Sequence, residues 1–175
     1  MFPQASALRV RTRPILEALL RPTPRSLPAK LVGAVSSVCI IYSDGTFSCW
    51  GENDSGSLGY GTSEAIGTDG RNPSDFGLVP LGEPVVSLSF SRTTTCALTA
   101  RFRVRCWGFG GYWQLFKGGD SSPVYAPQTA ADSTDAVLVA GNPRVLSVAL
   151  RRFGACVLTE LQTDNVYCVG RNDIG

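Results

Sequence analysis

The sequence predicts an all-β chain made of repeated multi-strand units about the size of propeller blades. Three observations carry this expectation. After residue 30 the chain runs in short β-rich stretches broken by Gly, Pro, Asn and Asp. Self-similar segments recur, each holding one pair of cysteines. Helical periodicity is nearly absent. Hydrophobic residues at 43% and charged residues at 17% describe a packed globular chain, and 175 residues suffice for a domain with its own core.

Residues 1–30 read as an Arg- and Pro-rich leader without stable structure. Pro3, Pro14, Pro22, Pro24 and Pro28 are spaced too closely for a long helix, and only Ile15 to Leu20 could form a turn or two. Arg9, Arg11 and Arg13 interrupt the place where the apolar core of a secretory signal would lie. An organelle transit peptide is the competing reading, and the low serine content counts against it. This segment holds six basic residues against the single acid Glu17, whereas residues 31–175 hold ten basic and thirteen acidic ones. The body therefore lacks the clustered basic face of a nucleic-acid binder, its one local group being Arg101, Arg103 and Arg105. No apolar run reaches the roughly 18 residues of a membrane-spanning helix.

The repeat is carried by three segments. Val38-Cys39-Ile40-Ile41 leads to Phe47-Ser48-Cys49-Trp50-Gly51, Thr95-Cys96-Ala97-Leu98 to Val104-Arg105-Cys106-Trp107-Gly108, and Ala155-Cys156-Val157-Leu158 to Tyr167-Cys168-Val169-Gly170. The first cysteines recur after 57 and then 60 residues. β-Branched approaches, Val85 to Ser89 and Val145 to Ala149, precede the second and third copies. The expected units are 31–84, 85–144 and 145–175, the last stopping within its motif.

Hairpin geometry accounts for the cysteines. A three-residue loop Ser43-Asp44-Gly45, with Gly45 left-handed, sets Ile41 opposite Phe47 and Cys39 opposite Cys49. The same register sets Leu98 opposite Val104 and Cys96 opposite Cys106. A turn two residues longer sets Leu158 opposite Val166 and Cys156 opposite Cys168. Each time the cysteines share a face with apolar residues, which an incorrect register would scramble. Opposed positions suit a disulfide in an oxidising compartment; buried free thiols packed as small core residues are the alternative. Zinc is disfavoured, because no cysteine pair has knuckle spacing and the chain has no histidine.

Cys39 to Gly61, Cys-Ile-Ile-Tyr-Ser-Asp-Gly-Thr-Phe-Ser-Cys-Trp-Gly-Glu-Asn-Asp-Ser-Gly-Ser-Leu-Gly-Tyr-Gly, resembles the repeat of the regulator of chromosome condensation family. It is most similar to the cysteine-paired version in extracellular relatives such as plant crinkly-type receptor kinases. The resemblance covers roughly residues 31–175 and implies a partial β-propeller of about three blades, where the family's fold has seven. The second copy departs from it, with Phe102 in place of Gly45 and Trp113 and Phe116 in place of Gly56 and Gly59. A bulky residue is strained in the left-handed region, so the Phe102 loop is expected to take another conformation. The third copy has Val169 in place of the tryptophan.

Without histidine, neither a Ser-His-Asp nor a Cys-His arrangement can be assembled. Asp69, Asp75, Asp132 and Asp135 read as loop acids, and Asn53-Asp54-Ser55 as a glycosylation sequon in too tight a turn. Trp50 and Trp107 should point away from the cysteines and fill the space between blades. Tyr112 and Trp113, in a loop, are the candidate partner contact. The sequence therefore predicts a non-enzymatic protein-binding module with no cofactor, a protein partner, and self-association through open blade edges. Cysteine pairing favours an extracellular or lumenal setting. The alternatives are an intracellular regulator, since the resemblance also implies guanine-nucleotide exchange on a small GTPase, an enzyme-inhibitor propeller, or a gene fragment with no separate function.

Overall fold

A computed structural model describes residues 26–33, 35–68, 76–111, 115–116, 130, 143–163 and 165–171. Among these, nine strands follow one another: β1 (Pro28–Gly33), β2 (Ser37–Tyr42), β3 (Phe47–Gly51), β4 (Val85–Phe90), β5 (Thr94–Thr99), β6 (Val104–Gly108), β7 (Val145–Arg151), β8 (Gly154–Thr159) and β9 (Val166–Gly170). They form three antiparallel sheets, ordered β1-β2-β3, β4-β5-β6 and β7-β8-β9. The fold is all-β, and each sheet is one blade of a partial propeller.

Each hairpin adopts the expected register. Cys39 faces Cys49 and Ile41 faces Phe47; Cys96 faces Cys106 and Leu98 faces Val104; Cys156 faces Cys168 and Leu158 faces Val166. The approach strands carry one irregularity at matching places, between Pro28 and Lys30, Val85 and Ser87, and Val145 and Ser147. An extra residue there bends the strand and lets each blade twist alike. The sequence pattern marked no approach strand for the first blade, and Pro28–Gly33 supplies it.

The first hairpin loop turns at Gly45, whose φ is 80°. The Gly45 amide donates to the Tyr42 carbonyl at 2.9 Å and the Tyr42 amide to the Thr46 carbonyl at 2.8 Å. The Asp44 carboxylate accepts from the Thr46 amide and hydroxyl at 2.9 and 2.7 Å. Hydrogen bonds from Ser26 and then Thr46 hold the Asp44 carboxyl down to about 2.

The second loop corrects the expectation of a different conformation. Phe102 takes the left-handed φ of 60°. The bonding also repeats, Phe102 N–H to Thr99 C=O at 2.9 Å and Thr99 N–H to Arg103 C=O at 2.8 Å. The reason lies in the neighbouring blade. The Val145 amide donates to the Phe102 carbonyl at 2.9 Å, as the Val85 amide does to the Gly45 carbonyl at 2.8 Å. Where a Cβ on Gly45 would run into Pro84, Phe102 instead lays its ring under the Arg144 guanidinium, 3.7 Å from the ring centroid. A cation over an aromatic face offsets much of the roughly 1–2 kcal/mol that a left-handed residue costs. Phe116, standing for Gly59, likewise has φ 53°.

The core consists of two layers between blades. The first joins Cys39, Ile41, Phe47, Cys49 and Leu58 to Leu88, Ala97 and Trp107. The second joins Cys96, Leu98, Val104, Cys106 and Leu115 to Val148, Ala155 and Val157, with Tyr167 and Val169 packed against it. The cysteine faces of the first and second blades are thus covered by the opposite faces of the second and third, the nearest-neighbour stacking of a repeat protein.

Candidate functional site

All six cysteines are paired as disulfides: Cys39–Cys49, Cys96–Cys106 and Cys156–Cys168, with Cα–Cα distances of 4.1, 4.1 and 4.0 Å. Such separations belong to the narrow, non-hydrogen-bonded pairs of an antiparallel ladder. The amide and carbonyl of Cys49 accordingly point away from β2. The Tyr60 hydroxyl meets both, accepting from the Cys49 amide at 3.0 Å and lying 3.3 Å from the carbonyls of Cys49 and Gly77, to either of which it can donate. Burial pushes the Tyr60 phenol above its ordinary pKa, so the hydroxyl keeps its proton.

Other groups complete this outer edge of β3. Gly51 and Ile66 exchange two backbone bonds at 2.9 and 3.0 Å, and the Val79 amide donates to the Phe47 carbonyl at 2.8 Å. Ser48 Oγ donates to the Gly77 carbonyl at 2.7 Å. Beside the edge, Thr46, Leu78, Pro80, Gly82 and Pro84 line an open groove in which Leu78 is exposed.

Each blade ends on a glycine whose backbone only glycine tolerates. Gly51, Gly108 and Gly170 have φ of 117°, 95° and 135°. A Cβ there would strike the carbonyl oxygens of Ser36, Thr93 and Phe153. Those carbonyls accept from the following amides, Glu52, Phe109 and Arg171, at 2.9, 2.8 and 2.8 Å. A glycine after the cysteine-tryptophan pair is thus a backbone requirement of the blade.

Trp107 lies where the sequence places it, fully buried between the first two blades. Its ring stacks on Phe47 with centroids 6.1 Å apart, and its Nε1–H donates to the Ser57 carbonyl at 2.9 Å. Thr95 Oγ1 donates to the same carbonyl at 2.7 Å. Trp50 is half-buried on the corresponding face of the first blade. Asn53 is fully buried, so the sequon asparagine is a scaffold residue. Its Nδ2 donates to the carbonyls of Thr62 and Glu64 at 2.8 and 3.1 Å, and its Oδ1 accepts from the Leu58 amide at 2.9 Å. Sequence reasoning missed this role, for which an Asn amid glycines is the available signal.

Among the described residues, none packs over the cysteine face of the third blade. Leu158 is 37% and Val166 58% exposed, where their counterparts Leu98 and Val104 are at 4% and 2%. Cys168 is exposed as well. At the other end, Val38, Ile40 and Trp50 are half-buried and Leu31 is 67% exposed. Arg105, from the basic group noted in the sequence, is paired to Glu83 at 2.8 Å.

Tyr112 and Trp113 lie outside the described residues, as do Asp69, Asp75, Asp132, Asp135 and residues 1–25. Among the described residues, no cluster of His, Cys, Asp or Glu is placed to hold a metal ion, and no helix is long and apolar enough to cross a membrane.

No family model and no curated protein matches the chain in sequence. Solved structures match it in fold. Human WBSCR16 superposes with a TM-score of 0.63 at 16% identity, over 86% of this chain and 36% of that one. Yeast RCC1 (Prp20) in its complex with Kap60 gives 0.58 at 13% identity, over 82% and 32% of the two chains. Prp20p of Saccharomyces cerevisiae, described with its binding to Gsp1p and histones, gives 0.57 at 15% identity, over 82% and 33%. The chain has the fold of RCC1-type propeller blades. It spans about a third of the length of the structures it matches.

Proposed function

We propose that the chain is a non-enzymatic, protein-binding propeller module of an extracellular or lumenal protein. The observation that carries this reading is the set of three cross-strand disulfides, one per blade, in strands held by conjoined cores. Such staples persist in oxidising compartments and fix the hairpins from which loops are displayed. Protein binding is supported by the neighbours: yeast RCC1 (Prp20) was solved bound to Kap60, and Prp20p was described with its binding to Gsp1p and histones.

The test is thiol counting on protein made by its native host, by alkylation under denaturing conditions and intact mass. The expected result is no alkylated cysteine. Six alkylated cysteines would remove the extracellular reading. The intracellular alternative, nucleotide exchange on a small GTPase, draws on the Prp20p likeness. It predicts faster release of labelled guanine nucleotide from a Gsp1p-type GTPase, and an unchanged rate removes it.

A further inference from the structure

We propose that the turns joining the first two strands of the second and third blades form a binding surface for a sulfated polysaccharide. The choice of ligand rests on the extracellular reading above, whereas the surface itself rests on the fold.

The three blades repeat one turn. Ser36, Thr93 and Phe153 hold the same place in it, because their carbonyls accept from the amides of Glu52, Phe109 and Arg171. The residue just before is Val35 in the first blade, Arg92 in the second and Arg152 in the third, and each is exposed. Val35, at 96% exposure, and Arg92 stay exposed with a following blade packed beside their own. This position therefore faces solvent as a property of the blade, whatever follows the third one. The Leu150 amide donates to Ser89 Oγ at 2.9 Å, which ties β7 to β4 just ahead of their turns. Arg92 and Arg152 are thereby set at one end of two adjoining blades.

More positive charge collects around Arg152. The guanidiniums of Arg152 and Arg171 lie 4.8 and 5.8 Å from the centroid of the Phe153 ring, and Nη2 of the exposed Arg151 is 3.5 Å from the Arg171 carbonyl oxygen. Among the described residues, no carboxylate pairs with Arg92, Arg151 or Arg152. Like charges gathered in this way repel one another, and an oxyanion among them relieves the repulsion. Guanidinium forks suit the task, because they bind oxyanions in bidentate fashion. The place of Arg171 is taken in the first blade by the exposed acid Glu52, which confines an anion to the second and third blades.

The kind of anion follows from the rest of the surface. None of the exposed large apolar side chains among the described residues lies on either arginine-bearing turn, whereas a peptide partner is held chiefly by such anchors. Phe153 is half-buried and already carries two guanidiniums, which leaves it a poor stacking platform for a nucleic-acid base. A sulfated sugar chain has no apolar side chains to bury and no bases to stack. It presents oxyanions spaced along its length, as the arginines are spaced over two blades.

The test titrates the full oxidised chain into a fluorescently labelled heparin oligosaccharide and reads polarisation. At about 50 mM salt, binding should saturate below about 100 μM protein, and at about 150 mM it should weaken at least threefold. Arg152→Glu and Arg92→Glu should each weaken it by about tenfold. Arg101→Glu makes the same change of charge at an exposed loop at the opposite end of the second blade, and should leave binding within about twofold. Desulfated heparin should not bind, and a Glu-rich peptide and single-stranded DNA of equal charge should bind about tenfold more weakly than heparin. Intact disulfides by mass and an unchanged far-UV spectrum check folding, and Arg92→Glu decides if Arg152→Glu disturbs the Phe153 turn. No heparin binding by the oxidised chain overturns the proposal, and so does an equal loss in Arg101→Glu. DNA or the peptide binding as tightly as heparin overturns the choice of a sulfated ligand. Thiol counting reads the compartment separately, so failure of the extracellular reading is distinguishable from failure of this surface.

Discussion

At the scale of single residues, glycine is where sequence and backbone meet most directly. The glycine closing each blade was visible as part of a recurring motif, and its left-handed φ against a carbonyl is the physical reason for it. Gly108→Ala is expected to cost about 3 kcal/mol, from strain plus a disturbed hydrogen bond. Gly33→Ala, with open space around it, should stay within about 0.5 kcal/mol. Urea unfolding of the two variants beside the wild type checks this. Phe102 shows the limit of such reasoning. The local rule against a bulky left-handed residue is sound, but Arg144 and Val145, which hold the loop, lie in the next blade, and nothing near Phe102 in sequence announces them. Asn53 is a related case: its tight turn was legible, whereas its buried side chain, bonded to Thr62, Glu64 and Leu58, was not.

At the scale of elements, the hairpins were the most legible part of the chain, because two constraints had to agree. A register that opposes the cysteines must also put Ile41, Phe47, Leu98 and Val104 on the buried side, and only one register does both. The groups along the outer edge of β3 escaped notice, since Tyr60, Ile66 and Val79 reach it as single residues from a long connection and leave no strand-like period. The staples differ in access: Cys39–Cys49 and Cys96–Cys106 are buried, while Cys168 is exposed. Titration with a reducing agent, followed by alkylation and peptide mapping, should open Cys156–Cys168 first and the other two only as the blades unfold. Replacing Cys96 and Cys106 together by alanine should cost about 3 kcal/mol, the loop-closure value for a ring of this size.

At the scale of the whole molecule, stability resides in the joints between blades. Trp107 belongs to the second blade by sequence and to the first by packing, against Phe47 and the Ser57 carbonyl. Trp107→Ala is expected to cost about 3–5 kcal/mol, and Trp107→Phe, which chiefly loses the indole hydrogen bond, nearer 1–2 kcal/mol. Equilibrium urea unfolding distinguishes the two. The direction in which the two tryptophans point could be read from their place after the cysteines, but which neighbour each meets is a property of the assembled stack. The candidate contact loop at Tyr112 and Trp113 is loop sequence, whose geometry no strand period dictates. With a phenol at Cys49 and isolated backbone partners at Phe47 and Gly51, the rim of β3 presents no continuous row of amides and carbonyls. An incoming foreign strand therefore meets edge groups already bonded at Phe47, Cys49 and Gly51, which disfavours this flank as a template for cross-β growth.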